Sequence, residues 1–208
     1  MSNTSVFDSA VPNRLQRSLT KSVLENYRLS SRYCYRNFGA PQAKDLSGHY
    51  CRARIEEEMA GIAALFPMVT VAIEPYERNT GFYNEITCGQ VKLTQSRILN
   101  PYIVPRDAKF RSTLAENGQG LLFPSADEHE HAHHLYAILV HGVDDNSEKR
   151  SWPAFIKIKF PNKECTAYVD EGIDLLSRFP DLRAEYVPSA SAISRLRRRR
   201  IRKQGEVA

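Results

Sequence analysis

Three sets of side chains in this 208-residue chain have the types and spacing to do chemistry. Arg195, Arg197, Arg198, Arg199, Arg200, Arg202 and Lys203 crowd the stretch SRLRRRRIRKQ near the C-terminus. Guanidinium forks match phosphate oxygens, so such a run is the footprint of a polyanion contact with a steep salt dependence. The second set is His131, His133 and His134, beside Asp127, Glu128 and Glu130. Imidazoles and carboxylates in that pattern are ligands that zinc, manganese or nickel accept, although no second ligand pair stands at a spacing that a metal fold fixes. The third set is acidic: Glu56, Glu57 and Glu58 in one run, Glu85 further on, and Asp107 two residues before Lys109.

The charge distribution sharpens the first set. Seven of the 29 bases lie beyond Ser194, against one of the 24 acids, which leaves the body at −1 and the last fourteen residues at +6. The sequence pI of about 9.0 therefore describes a near-neutral body with a basic tail. Cys34, Cys51, Cys88 and Cys165 form no Cys-x-x-Cys pair and read as buried free thiols. No apolar run reaches the ~18–20 residues of a membrane span. The opening MSNTSVFDSAVPNR has no export-signal pattern, so the expected location is the cytoplasm, or the nucleus in a eukaryotic source.

These groups must be positioned by secondary structure. Leu15, Leu19, Val23 and Tyr27 recur every four residues and predict a helix from about Pro12 to Arg32. Ile55, Met59, Ile62 and Phe66 predict a second, capped by Ser47 and stopped by Pro67. From Met68 the period falls to two, giving three consecutive strands: Val69–Ile73, FYNEIT and VKLTQSRI. Asp107 caps a short helix to Glu116, and the histidine-rich segment reads as an exposed loop. LYAILVHG, AFIKIKF and ECTAYV are three further strands, followed by a helix that Asp170 caps. VPSAS then links to the basic segment, which a helix with Ile193, Leu196 and Ile201 would carry.

The expected fold is α+β, with N-terminal helices and two antiparallel groups of about three strands separated by a helix. Residues 1–180 form one domain with a helical extension, and 181–208 are linker and basic tail. No Gly-rich phosphate loop, Gly-x-Ser-x-Gly elbow or complete calcium loop is present.

The order helix, three strands, helix, strand between Ser47 and Gly142 resembles the αβββαβ core of the PD-(D/E)xK nucleases. That resemblance implies a phosphodiesterase site holding magnesium or manganese by carboxylates. Its residues would be Glu57 (or a neighbouring acid) from the helix and Glu85 from the second strand. Asp107 and Lys109 supply an acid-x-lysine. The third strand departs from the pattern, offering Gln95-Ser96-Arg97 instead.

The leading expectation is a nucleic-acid-binding protein whose tail grips phosphates while the body chooses a DNA or RNA target. Further cations stand ready in the body: Arg52, Arg54, Lys92, Arg97, Arg106, Lys109, Arg111, Lys157 and Lys159. The alternatives are a metal-dependent nuclease, or a protein-interaction module with the tail as a localisation signal. Homodimerisation is compatible with either, though no heptad seam marks a coiled coil.

Overall fold

The structure is a computed structural model that describes residues 2–76, 81–118, 134–143 and 151–187. Its helices α1 (Asn3–Ala10), α2 (Asn13–Asn37) and α3 (Ala40–Ala63) come first. They are followed by β1 (Val69–Pro75), β2 (Phe82–Cys88), β3 (Val91–Arg97), α4 (Lys109–Gly118) and β4 (Leu135–Gly142). The chain continues through β5 (Phe155–Lys159), β6 (Ile173–Asp174), α5 (Leu175–Arg178) and α6 (Pro180–Tyr186). This is the expected α+β class.

The two antiparallel strand groups are present, and they are joined. β1–β3 and β4–β6 each pair antiparallel, while β3 and β4 run parallel through the α4 crossover, making one six-stranded sheet in sequential order. A parallel neighbour requires a crossover connection, and such strands are covered on both faces. β4 accordingly is buried at every position. Its Leu135, Ala137 and Leu139 face the core under the N-terminal helices, whereas Tyr136, Ile138 and Val140 face α4 through Leu114 and Ala115.

The helix pair α2/α3 forms the main covering layer. Ala43, Ser47, Cys51, Ile55, Met59 and Ala63 are buried at strict four-residue spacing on α3, opposite Leu15, Leu19, Val23 and Tyr27 of α2. Side chains four apart stack on one face, so each helix presents a single continuous stripe. α1 adds Phe7, packed edge-on against Phe160 at 6.0 Å between centroids.

Several local expectations are revised. α3 begins at Ala40, because Gly39 and Pro41 suit an N-terminus; Ser47 lies inside it, buried, its hydroxyl donating to the Lys44 carbonyl. α2 runs on to Asn37, since its buried stripe continues through Ser31 and Cys34. α4 starts at Lys109, and Asp107 accepts from the Ser112 hydroxyl at 3.5 Å without capping the helix amides. Residues 162–167 turn instead of forming a strand: Asn162 Oδ1 accepts from the Thr166 and Ala167 amides, and Cys165 adopts a left-handed φ of 54°. The helix cap expected at Asp170 is made by Asp174, which accepts from the Leu176 and Ser177 amides, while Asp170 closes a turn onto Gly172.

The packed body also extends past residue 180. α6 buries Leu182 in the core, Asp181 pairs with Arg17, and the Tyr186 hydroxyl donates to Glu25 at 2.8 Å. Arg178 clamps Asp8 with both guanidinium ends, tying α5 to α1.

Gly142 ends β4 where the next strands must close on it. A Cβ there would fall on the Ile98 carbonyl oxygen and within 2.6 Å of Phe155 Cζ. Backbone on one side and a packed ring on the other leave no room to yield. Gly142→Ala is therefore expected to cost on the order of 3 kcal/mol, read as a lower urea midpoint at unchanged m-value.

Candidate functional site

One stripe of α3 delivers the site. Gly48, Arg52 and Glu56 stand four residues apart, one position round from the core stripe, and face the free ends of β2 and β3. On the strands the apolar inward phase gives way to polar side chains at this end. Cys88 and Ile86 lead to Asn84 on β2, Val91 and Leu93 to Gln95 and Arg97 on β3, and Leu135, Ala137 and Leu139 to His141 on β4. The β2/β3 ladder covers only Ile86–Cys88 against Val91–Leu93, so beyond Ile86 the two strands fork.

Glu56 fills the fork. Its Oε2 accepts from the Asn84 backbone amide at 3.2 Å and its Oε1 from Gln95 Nε2 at 2.6 Å, while its own main-chain carbonyl receives the Asn84 side-chain amide. The carboxylate thus supplies the acceptor that the missing ladder bond would have given. Burial pushes its pKa up, opposed by the bonds from Gln95 and Asn84 and by the charges of Arg52 and Arg111.

Behind Gln95 lies a second link. His141 is fully buried, with Nε2 at 2.8 Å from Gln95 Oε1 and Nδ1 at 2.9 Å from the Tyr27 hydroxyl. Donor logic fixes the direction when Glu56 is ionised: Gln95 gives its amide N–H to Glu56, so its oxygen must accept. His141 Nε2 therefore carries the proton, and Nδ1 accepts from Tyr27. The relay Tyr27, His141, Gln95, Glu56 crosses from α2 through β4 and β3 to α3. Desolvation, with the nearby Arg97 charge second, lowers the His141 pKa from 6.5 to about 3, so the ring is neutral.

Cations surround this relay. Arg97 packs so closely on Gly48 that a Cβ there would lie 2.6 Å from its Nη1, and its Nε is buried without a hydrogen-bond partner among the described residues. Arg52 donates to the Tyr76 hydroxyl at 2.6 Å. From the other face of the sheet Arg111 reaches the Arg106 carbonyl and the Ser96 hydroxyl. Tyr76, Tyr83 and Phe110 stack beside them, Tyr83 and Phe110 with centroids 3.9 Å apart. Among the described residues the fork holds one carboxylate, Glu56, with Arg52 and Arg111 acting on its charge.

The acids named from sequence do not converge on it. Glu57 is exposed on the outer side of α3, and its neighbour Glu56 takes the position facing the strands. Glu85 lies on the opposite face of β2 from Asn84, paired with Lys92 at 2.6 Å. Asp107 and Lys109 are both exposed at the start of α4. Among the described residues no three His, Cys, Asp or Glu side chains are grouped as a metal cage. The fork holds one carboxylate, two amides and an imidazole with both nitrogens engaged, a set that does not fit magnesium or manganese. His131, His133 and the basic residues Arg195, Arg197, Arg198, Arg199, Arg200, Arg202 and Lys203 lie outside the described residues; His134 is half-buried just before β4.

The four cysteines are free; Cys34, Cys51 and Cys88 are buried, and burial pushes the Cys51 thiol up to about 12. No family model, curated protein or solved structure matches this chain. Asn84, Gln95, His141 and the hydroxyl of Tyr27 carry no sequence motif. Their one signal is a polar residue falling on the inward phase of an otherwise apolar strand, repeated at the same end of three neighbours.

The buried imidazole makes stability pH-dependent. Its folded pKa lies below its unfolded value, so the unfolded chain binds the extra proton; the stability is complete above about pH 6.5 and is lost as pH falls toward about 3. The slope approaches 1.4 kcal/mol per pH unit at most, about one proton's worth. Glu56, shifted upward, acts in the opposite sense above its ordinary 4.5. Urea unfolding across this range should show His141→Gln losing less stability than wild type on acidification; parallel curves would contradict the buried neutral ring. Tyr27→Phe, which leaves Nδ1 without its donor, is expected to cost about 1–3 kcal/mol.

Proposed function

We propose that the chain binds nucleic acid, DNA or RNA, through a nuclease-like body that holds its target without cutting it and an arginine tail that supplies electrostatic affinity. The observation that carries this reading is Gln95. The αβββαβ order from α3 to β4 matches the resemblance noted in the sequence, and Gln95 stands on β3 where that resemblance calls for a second metal-binding carboxylate. A neutral amide there, locked between Glu56 and His141, leaves phosphate contact to Arg52, Arg97 and Arg111 and leaves no carboxylate pair to hold a metal. A nucleic-acid target implies a cytoplasmic location, or a nuclear one in a eukaryote.

The tail contributes through phosphates, which position a protein but carry no base information. Target choice falls to the body, where the aromatic stack of Tyr76, Tyr83 and Phe110 adjoins Arg52 and Arg111.

Deleting residues 194–208 should lower the log–log salt slope for duplex binding by up to about 6, roughly 0.9 for each of seven cations. An unchanged slope would remove the tail from the interface. No cleavage of plasmid or RNA is expected with magnesium or manganese, and cleavage that Glu56→Gln abolishes would restore the nuclease reading.

Gln95→Glu tests the missing carboxylate directly. The variant places two carboxylates in one fork and should be less stable than wild type, with manganese raising its Tm and leaving that of wild type unchanged. A wild-type Tm that rises with manganese would count against a metal-free fork.

A further inference from the structure

Helix α2 holds six bases, Arg14, Arg17, Lys21, Arg28, Arg32 and Arg36, against the single acid Glu25. In its N-terminal half Arg17 pairs with Asp181, and Lys21 with Glu25 at 3.8 Å, while Arg14 is exposed. In its C-terminal half Arg28, Arg32 and Arg36 are exposed and form no ion pair among the described residues; Arg28 lies over the Tyr186 ring at 5.2 Å. Across from them, the first three turns of α3 hold one acid, Asp45, beside Lys44.

The spacing is regular. Residues four apart on a helix share a face and rise about 6 Å per step, so the three guanidinium groups form a ladder about 12 Å long. That rung spacing is comparable to the separation of successive phosphates along a strand. Leu29 and Tyr33 form the adjacent stripe at 42% and 48% exposure, and Phe38 follows at 43%. Tyr33 stacks on Tyr50 of α3 with centroids 4.9 Å apart, which holds its ring in a fixed plane.

We infer that this face of α2 is a binding surface for single-stranded nucleic acid, with Arg28, Arg32 and Arg36 on successive phosphates and Tyr33 and Phe38 meeting the bases. An evenly repeated cation row fits a repeating anion better than the scattered carboxylates of an acidic protein. Exposed rings beside that row favour a strand whose bases are unstacked over a closed duplex. The inference rests on the nucleic-acid reading above, and it locates in the body a contact that the near-neutral net charge conceals.

The test uses the full chain, a labelled oligothymidylate and a duplex of equal phosphate count, followed by fluorescence anisotropy through a salt titration. Converting Arg28, Arg32 and Arg36 together to Gln should lower the slope on oligothymidylate by about 2, at about 0.7 per phosphate contact, and converting them to Lys should restore it. Tyr33→Leu should weaken oligothymidylate binding roughly tenfold with the slope unchanged, and should leave duplex binding alone. All these positions are exposed, and circular dichroism melting checks that each variant is folded. An unchanged slope in the Gln variant overturns the assignment of α2, and the nucleic-acid reading survives if tail deletion still weakens binding. Equal loss on duplex and single strand with Tyr33→Leu silent also overturns it, and failure of the full chain to bind either probe removes both.

Discussion

The position of the Glu56 carboxylate in the β2/β3 fork governs the arrangement around it. Separating two strands orphans backbone groups, and burying a charge beside them costs several kcal/mol unless it is fully bonded. Here the two costs offset each other, because the charge accepts from the orphaned Asn84 amide and from Gln95. The consequence reaches beyond one contact: α3 is pinned to the sheet at this point, and Gln95 is forced into the orientation that sets the His141 tautomer and the role of the Tyr27 hydroxyl.

A network of this kind is unforgiving. Each member has one donor and one acceptor arrangement that satisfies its neighbours, so loss of one leaves another buried without a partner. The cations at its rim are also held. Arg97 rests on the bare backbone of Gly48, and Arg52 and Arg111 approach from opposite sides of the sheet. Fixed polar groups thus lie within the fork and guanidinium groups at its rim.

Net charge proved a poor guide to where charge lies. The body sums to nearly zero, yet α2 is strongly basic and α3 carries the Glu56–Glu58 run. Several of those charges are consumed by packing: Arg54 and Glu58 both bond Asn26, Arg178 clamps Asp8, and Lys92 pairs with Glu85. What remains on the surface is a subset that only the fold selects.

The period-four stripes of α2 and α3 and the apolar β4 were legible in the sequence because burial follows the geometry of each element, and the period-two run after Met68 marked β1 although only Val69 is buried there and Ile73 is exposed. The α+β class followed from their order. Short-range bonding overrode weaker signals: Asn162 bent a strand-like segment into a turn, and Asp174 displaced Asp170 as a cap. The parallel joint between β3 and β4, and the choice of Glu56 over Glu57, came only with the tertiary structure. Neighbouring glutamates differ by about 100° of helix rotation, and no local pattern says which direction will meet a forked sheet. Sequence determined which residues could be buried and which elements they form. The tertiary fold decided which of the buried polar groups meet, since each partner of Glu56 and His141 lies at least 28 residues away along the chain.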